Sequence, residues 1–181
     1  EFYDAVSITA QALSKQGVKK GDRVAAFLPN LPDTIIFMLA TASLGALWSS
    51  CSPDFGSQGV LDRFGQIKPK ILIGVDGYYY NGKHIETTGK LREIAESLKS
   101  LKKVVVVPYT TPRPKIKSIK QSIHLKDFVK PFQPGRIKFK QVPFNHPLFI
   151  MFSSGTTGVP KCIVHGHGGT LLQHLKEHQL H

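Results

Sequence analysis

At 181 residues, 41% of them hydrophobic and 20% charged, the chain has the makings of one folded domain, or one and a fraction, with a sizeable buried core. Its longest apolar stretch, Ile35 to Trp48, is broken by Thr41, Ser43 and Gly45 and is too short and mixed to cross a bilayer, so no membrane insertion is expected. The formal net charge of +12 suggests nucleic acid as a partner, but eleven of the 24 basic residues and one of the twelve acids lie between Leu101 and Lys140. The excess is local, not a property of the whole chain.

Taken in chain order, Phe2 to Gln16 has Val6, Ala10 and Leu13 at helical spacing, with Gly17 as a stop. A turn at Gly21-Asp22 precedes a short buried strand from Arg23 to Leu28. Asn30 is expected to cap the next helix, with Pro32 in its first turn. That helix runs to about Leu44 and is apolar nearly all round, which predicts an interior position. A strand over Ala46 to Cys51, a turn at Pro53 to Gly56 and a helix over Val60 to Ile67 follow. A strand is predicted at Ile71 to Val75 and a helix at Leu91 to Leu101. Val104 to Val107, four β-branched residues in a row, is the strongest strand signal.

Beyond Val107, five prolines (Pro108, Pro112, Pro114, Pro131 and Pro134) punctuate the basic region, which reads as a solvated connection. Order resumes with a strand over Leu148 to Phe152, a loop, a strand over Cys162 to His165 and a helix from Thr170 onward. Strands alternating with helices predict an α/β fold with a mainly parallel sheet and flanking helices. The expected parts are 1–107, a first α/β part; 108–146, the basic connection; and 147–181, the loop with its following helix. Both ends read as cut, because Glu1 and His181 each fall inside a helix. Cys51 and Cys162 are far apart and lack metal-type spacing, which fits a reducing compartment better than a disulfide framework.

The chemistry concentrates in "LFIMFSSGTTGVPKCIVH", Leu148 to His165. Small residues let a backbone turn sharply so that its N–H groups converge on an anion. Hydroxyls at Ser153, Ser154, Thr156 and Thr157 add donors, Gly155 and Gly158 add room, and Lys161 adds a compact charge at the exit. A di- or triphosphate suits such a loop. The P-loop pattern itself fails, because Pro160 precedes Lys161 and Cys162 stands where a Mg²⁺-holding hydroxyl would be. A plain polar hairpin between two strands is the alternative.

"SSGTTGVPK" followed by "CIVH" resembles the signature phosphate loop of the adenylate-forming enzymes: acyl-CoA synthetases, luciferases and peptide-synthetase adenylation domains. Gly17 to Gly56, Val60 to Ile73 and "GGTLLQHLKEHQLH" are similar to the short-chain acyl-CoA synthetases that activate acetate and acetoacetate, most of all the acetoacetate branch. The resemblance covers nearly the whole chain but only part of such an enzyme's large N-terminal domain. It implies a ligase in which acetoacetate attacks the α-phosphate of ATP, giving an acyl-adenylate and pyrophosphate, before coenzyme A displaces AMP.

It further implies that Ser153, Ser154, Gly155, Thr156, Thr157, Gly158 and Lys161 bind the β- and γ-phosphates. Mg²⁺ is expected with its ligands unassigned. The catalytic lysine and the C-terminal domain of the family lie beyond His181, so the 181 residues alone are expected to form no adenylate. A cytosolic enzyme of lipid metabolism and ketone-body use is the implied setting.

Several motifs compete with this reading. "HLKEH" puts His174 and His178 four residues apart, with His181 on the same side, in the H-x-x-E-H zinc pattern. Leu171, Leu172 and Leu175 make a separate apolar stripe, so the histidines read as the flank of an ordinary helix and no metal is expected. His165 either approaches the acyl pocket or is a satisfied core histidine. The basic stretch could serve a non-catalytic polyanion-binding domain, but its prolines forbid a continuous basic helix and no nucleic-acid motif is present, so no nucleic-acid partner is expected. "YYYNGK", Tyr78 to Lys83, reads as an exposed Asn-Gly turn with packed tyrosines. Asp54 and Asp62 read as a turn residue and a surface helix residue.

Overall fold

A computed structural model describes residues 1–153 and 158–180. In chain order the elements are α1 (Phe2–Lys15), β1 (Arg23–Phe27), α2 (Pro32–Ser43), β2 (Leu47–Cys51), α3 (Ser57–Ile67), β3 (Ile71–Val75), β4 (Gly77–Tyr80) and β5 (Lys83–Glu86). They continue with α4 (Thr88–Ser97), β6 (Lys103–Val107), β7 (Ser122–His124), α5 (Leu125–Val129), β8 (Pro147–Ser153), β9 (Lys161–Gly166) and α6 (His167–Leu180).

Seven strands form one sheet in the order β7-β6-β3-β1-β2-β8-β9, parallel throughout except for the antiparallel β8–β9 pair. The parallel strands are apolar at successive positions because side chains alternate between two faces and both faces need cover. Val24, Ala26, Ile73 and Val105 pack with α1, α2 and α5 on one face, burying Leu13, Phe37 and Phe128. Ala25, Phe27, Leu72 and Val104 pack with α3 and α4 on the other, burying Phe64, Leu91 and Ile94. The α/β expectation holds, with helices on both faces of a mainly parallel sheet.

Gly74 shows how closely the layers approach. A Cβ there would meet both methyl groups of buried Leu91, the farther of them, Cδ1, at 2.7 Å, so α4 rests directly on the backbone of β3. Gly74→Ala is expected to destabilise the protein by about 1–3 kcal/mol through overpacking, read as a lower denaturant midpoint. An unchanged midpoint would mean that Leu91 can step aside freely.

The boundaries differ from the sequence reading in instructive ways. The N-cap of α2 is Leu31, not Asn30, with extended φ and ψ; Pro32 drives the residue before it into that conformation. Helix α4 starts at Thr88 because buried Thr87 gives its hydroxyl to the Val75 carbonyl and its N–H to the Asp76 carbonyl (3.0 Å). Helix α6 starts at His167, earlier than Thr170. The N–H groups of His167 and Gly168 are taken by the carbonyls of His146 and Phe144, both at 2.9 Å.

Helix α2 buries Phe37 and Ala40, yet Ile35 and Leu39 are exposed, contrary to an all-round interior helix. The helix lies in an outer layer with one face on the sheet. The basic segment is more than a solvated connection. It supplies β7 and α5 to the fold and buries Ile116, Ile119, Phe128 and Ile137. Its later part is tied to α1, where the Ser7 hydroxyl donates to the Gly135 carbonyl (2.6 Å) and accepts from the Gly135 N–H (3.1 Å). Ile116 and Ile119 are flanked by exposed Lys115, Lys117 and Lys120, so the charges face water while the isoleucines hold the segment down.

Candidate functional site

Because β1, β2, β3 and β8 run parallel, the loops that follow them share one edge of the sheet, the carboxyl edge, where ligands of open α/β sheets bind. Strand β8 carries Leu148 and Ile150 into the core and delivers Ser153 to that edge. Strand β9 returns antiparallel, with Ser153 opposite Lys161 and Phe152 opposite Cys162. The predicted strand–loop–strand is present, and residues 153 and 161 face each other across its mouth. Ser154, Gly155, Thr156 and Thr157 lie outside the described residues.

Gly158 has φ +116°, a conformation that a side chain would strain. Lys161 is exposed, and among the described residues it takes part in no ion pair. The other sequence-predicted residues of the loop that are described, Ser153 and Gly158, flank the same opening.

Helix α3 packs beside this hairpin. The guanidinium of Arg63 lies over the rings of Phe55 (4.4 Å) and Phe152 (6.0 Å) and donates to the Gly59 carbonyl at 2.7 Å. One turn on, Gln66 donates to the carbonyl of Pro160, next to Lys161, at 2.8 Å. Nothing local in the sequence marks Gln66, since its partner is 94 residues away.

A second opening on the same edge was not singled out from the sequence. Residues 28–30 after β1 and 50–54 at and after β2, with Tyr78 and Tyr80 of β4, enclose a hollow of about 610 Å³. The only sequence signal was its place, at the ends of buried strands. Cys51 lines it, but burial pushes its thiol up to about 11 against the opposing pull of Arg63, so it is no thiolate nucleophile. Asp54 sits on the rim as a turn residue. The Asn-Gly turn is present: Asn81 and Gly82 both have positive φ, as a two-residue hairpin turn of this type requires. Tyr78 is buried, whereas Tyr79 and Tyr80 are 60% and 71% exposed, although the Tyr79 ring still contacts those of His84 and Tyr109.

Asp76, at the end of β3, is 3% exposed. Its carboxylate accepts from the N–H groups of Tyr109 (2.6 Å), Thr110 (3.1 Å) and Thr111 (2.7 Å) and from the Thr110 hydroxyl (2.8 Å). Burial pushes this carboxyl up, but the hydrogen bonds from Tyr109, Thr110 and Thr111 together outweigh burial and hold it below its ordinary value.

His165 is exposed on β9, so it is not a core histidine. With Phe149, Met151, Val164 and His174 it lines a hollow of about 440 Å³ between β8, β9 and α6. No cluster of three or more His, Cys, Asp or Glu suited to a metal occurs among the described residues. His174 instead faces the hollow shared with His165, and His181 lies outside the described residues. No helix among the described residues is long and apolar enough to cross a membrane.

Comparison with known proteins agrees with this arrangement. The chain is 58% identical over its full length to acetoacetyl-coenzyme A synthetase of Rhizobium meliloti (strain 1021) and 54% identical to the acetoacetyl-CoA synthetase of Macaca fascicularis. It spans 28% of the length of each. Its fold superposes on acetoacetyl-CoA synthetase from Streptomyces lividans with a TM-score of 0.89 at 40% identity, covering 97% of this chain and 26% of that one. The model of the AMP-binding enzyme family matches residues 1–180, and the chain belongs to that family.

Proposed function

We propose that this chain is the phosphate-gripping part of a ligase that activates acetoacetate with ATP and passes the acyl group to coenzyme A. The observation that carries the reading is the 58% identity, over an alignment that covers the whole chain, to a relative named for that product. In the proposed reaction the acetoacetate carboxylate attacks the α-phosphorus of ATP. The bond to the bridging oxygen breaks, and pyrophosphate leaves with the electron pair. The thiol of coenzyme A then adds to the acyl carbon and AMP departs.

The difficulty of the first step is electrostatic, since an anion approaches a polyanion and charge builds on the leaving pyrophosphate. Lys161 would offset that charge, while hydroxyls of Ser154, Thr156 and Thr157 would donate to phosphate oxygens. Glycines at 155 and 158 would let backbone N–H groups come close. Mg²⁺ would enter with the nucleotide and share the neutralisation of its phosphates; no residue of this chain is assigned to hold it. A cytosolic place, and a role in lipid synthesis and ketone-body use, are parts of the same proposal.

The test is ATP–pyrophosphate exchange by the full-length protein with acetoacetate, acetate and propionate in turn. Acetoacetate is expected to give a kcat/KM at least about ten-fold above the others, the discrimination available from a pocket that pairs a polar substrate group. Acetate or propionate performing as well would make the protein a different short-chain acyl-CoA ligase. Exchange with none of them would leave the family and remove the activity.

A further inference from the structure

We propose that Gln66 is a positioning residue for Lys161, holding the exit of the phosphate loop from outside; the inference rests on the phosphate-binding reading of that loop. Gln66 lies in the last turn of α3, a surface position with no sequence motif. Its amide nevertheless reaches across to the hairpin twice. Nε2 donates to the Pro160 carbonyl at 2.8 Å and Oε1 accepts from the Cys162 thiol at 3.5 Å. The two anchored residues are those immediately before and after Lys161. One side chain therefore brackets the lysine on both sides. Nε2 also donates to the Asp62 carbonyl at 2.6 Å, which fixes the amide to its own helix. That helix is in turn held to the end of β8 by Arg63 stacked on Phe152.

The arrangement makes sense physically. Gly158, with φ +116°, has no side chain to restrict its backbone. A lysine on a four-carbon stem is flexible too. Fixing the backbone at Pro160 and the side chain of Cys162 removes part of the freedom that would otherwise be lost when phosphates are gripped. Gln66 is itself exposed, so its hydrogen bonds add little to global stability. Their effect belongs to the geometry of the exit.

The experiment uses the full-length protein with Gln66→Met, which keeps the length of the side chain and removes both hydrogen bonds to the hairpin together with the one to the Asp62 carbonyl. The KM for ATP is expected to rise about five-fold, the loss of roughly one hydrogen bond's worth of ordering. The KM values for acetoacetate and coenzyme A should stay within about two-fold and the denaturant midpoint should not move, because the change is confined to one site. In a Lys161→Ala background the effect of Gln66→Met should vanish, since the residue acts through the lysine. Gln66→Glu, which keeps the acceptor for Cys162 but has no donor for Pro160, should retain the ATP defect. If Lys161→Ala lowers ATP use while Gln66→Met leaves it unchanged, this inference falls and the loop reading stands. The same holds if the two effects simply multiply. If Lys161→Ala itself leaves ATP use intact, the loop reading falls, and Gln66 with it.

Discussion

Lys161→Ala combined with Thr157→Val in the full-length protein is expected to lower kcat/KM for ATP by about 10²–10³-fold, the range seen when charge-stabilising donors are lost from a preorganised site. On the proposed function the KM for acetoacetate should change by less than about three-fold, because the loop is assigned to the phosphates of the nucleotide and not to the acyl substrate. The size of the effect follows from what surrounds the lysine. Among the described residues Lys161 has no ion-pair partner, so its charge is not already committed, in contrast to Lys70, which contacts the Asp22 carboxylate at 2.7 Å. Ser153 stands opposite it across the mouth of the loop. Lys161→Arg should recover only part of the rate, because a planar guanidinium does not replace a compact ammonium. ATP kinetics unaltered by the double substitution would end the phosphate-loop interpretation.

How much of this was legible beforehand depended on the distance over which each feature is decided. Val104 to Val107 announced a strand because all four residues are buried, alternately on the two faces of the sheet. The two strands that flank the glycine-and-hydroxyl loop were visible for a similar reason, since both were apolar enough in sequence to predict. The Asn81-Gly82 turn needs only two backbone angles and was likewise readable.

Strand β7 is different. Ser122–His124 has no strand signal of its own and exists because β6 offers it a parallel edge, with Ile123 opposite Val105. The exposed lysines around Ile116 and Ile119 masked their burial, so the segment read as solvated. Gln66 and the hollow at the ends of β1 and β2 are products of topology alone. No window of neighbouring residues contains both Gln66 and Pro160, or both Asn30 and Tyr80.

Asp76→Asn is expected to destabilise the protein by about 2–3 kcal/mol at neutral pH, the scale of losing charge-assisted hydrogen bonds at a buried carboxylate. A carboxylate can accept at both oxygens, and here one oxygen takes the N–H groups of Tyr109 and Thr110 while the other takes the Thr110 hydroxyl and the Thr111 N–H. Asparagine must turn an NH₂ group towards one of those donor pairs. It would leave the donors unpaired where little water reaches. The pH dependence has a definite sign. The folded-state carboxyl lies below its ordinary value of 3.8, so its contribution is complete above that value and is lost as pH falls through the depressed one.

The gap between the denaturant midpoints of the native and Asp76→Asn proteins should therefore be constant near neutrality and narrow only below about pH 4. A gap that widened on acidification would reverse the assignment. Thr110→Val should reproduce a smaller share of the loss, since it removes one of the four donors. The consequence reaches the carboxyl edge, because the residues that the carboxylate holds contact the β4–β5 hairpin: the Thr110 hydroxyl lies 2.9 Å from His84 Nε2, and the Tyr109 ring is 6.2 Å from that of Tyr79. The carboxylate thus ties the end of β3 directly to residues 109–111 and, through Thr110, to the β4–β5 hairpin. With that knot loosened, the hairpin bearing Tyr78 and Tyr80 loses its anchor, and proteolysis of the Asp76→Asn protein should begin there.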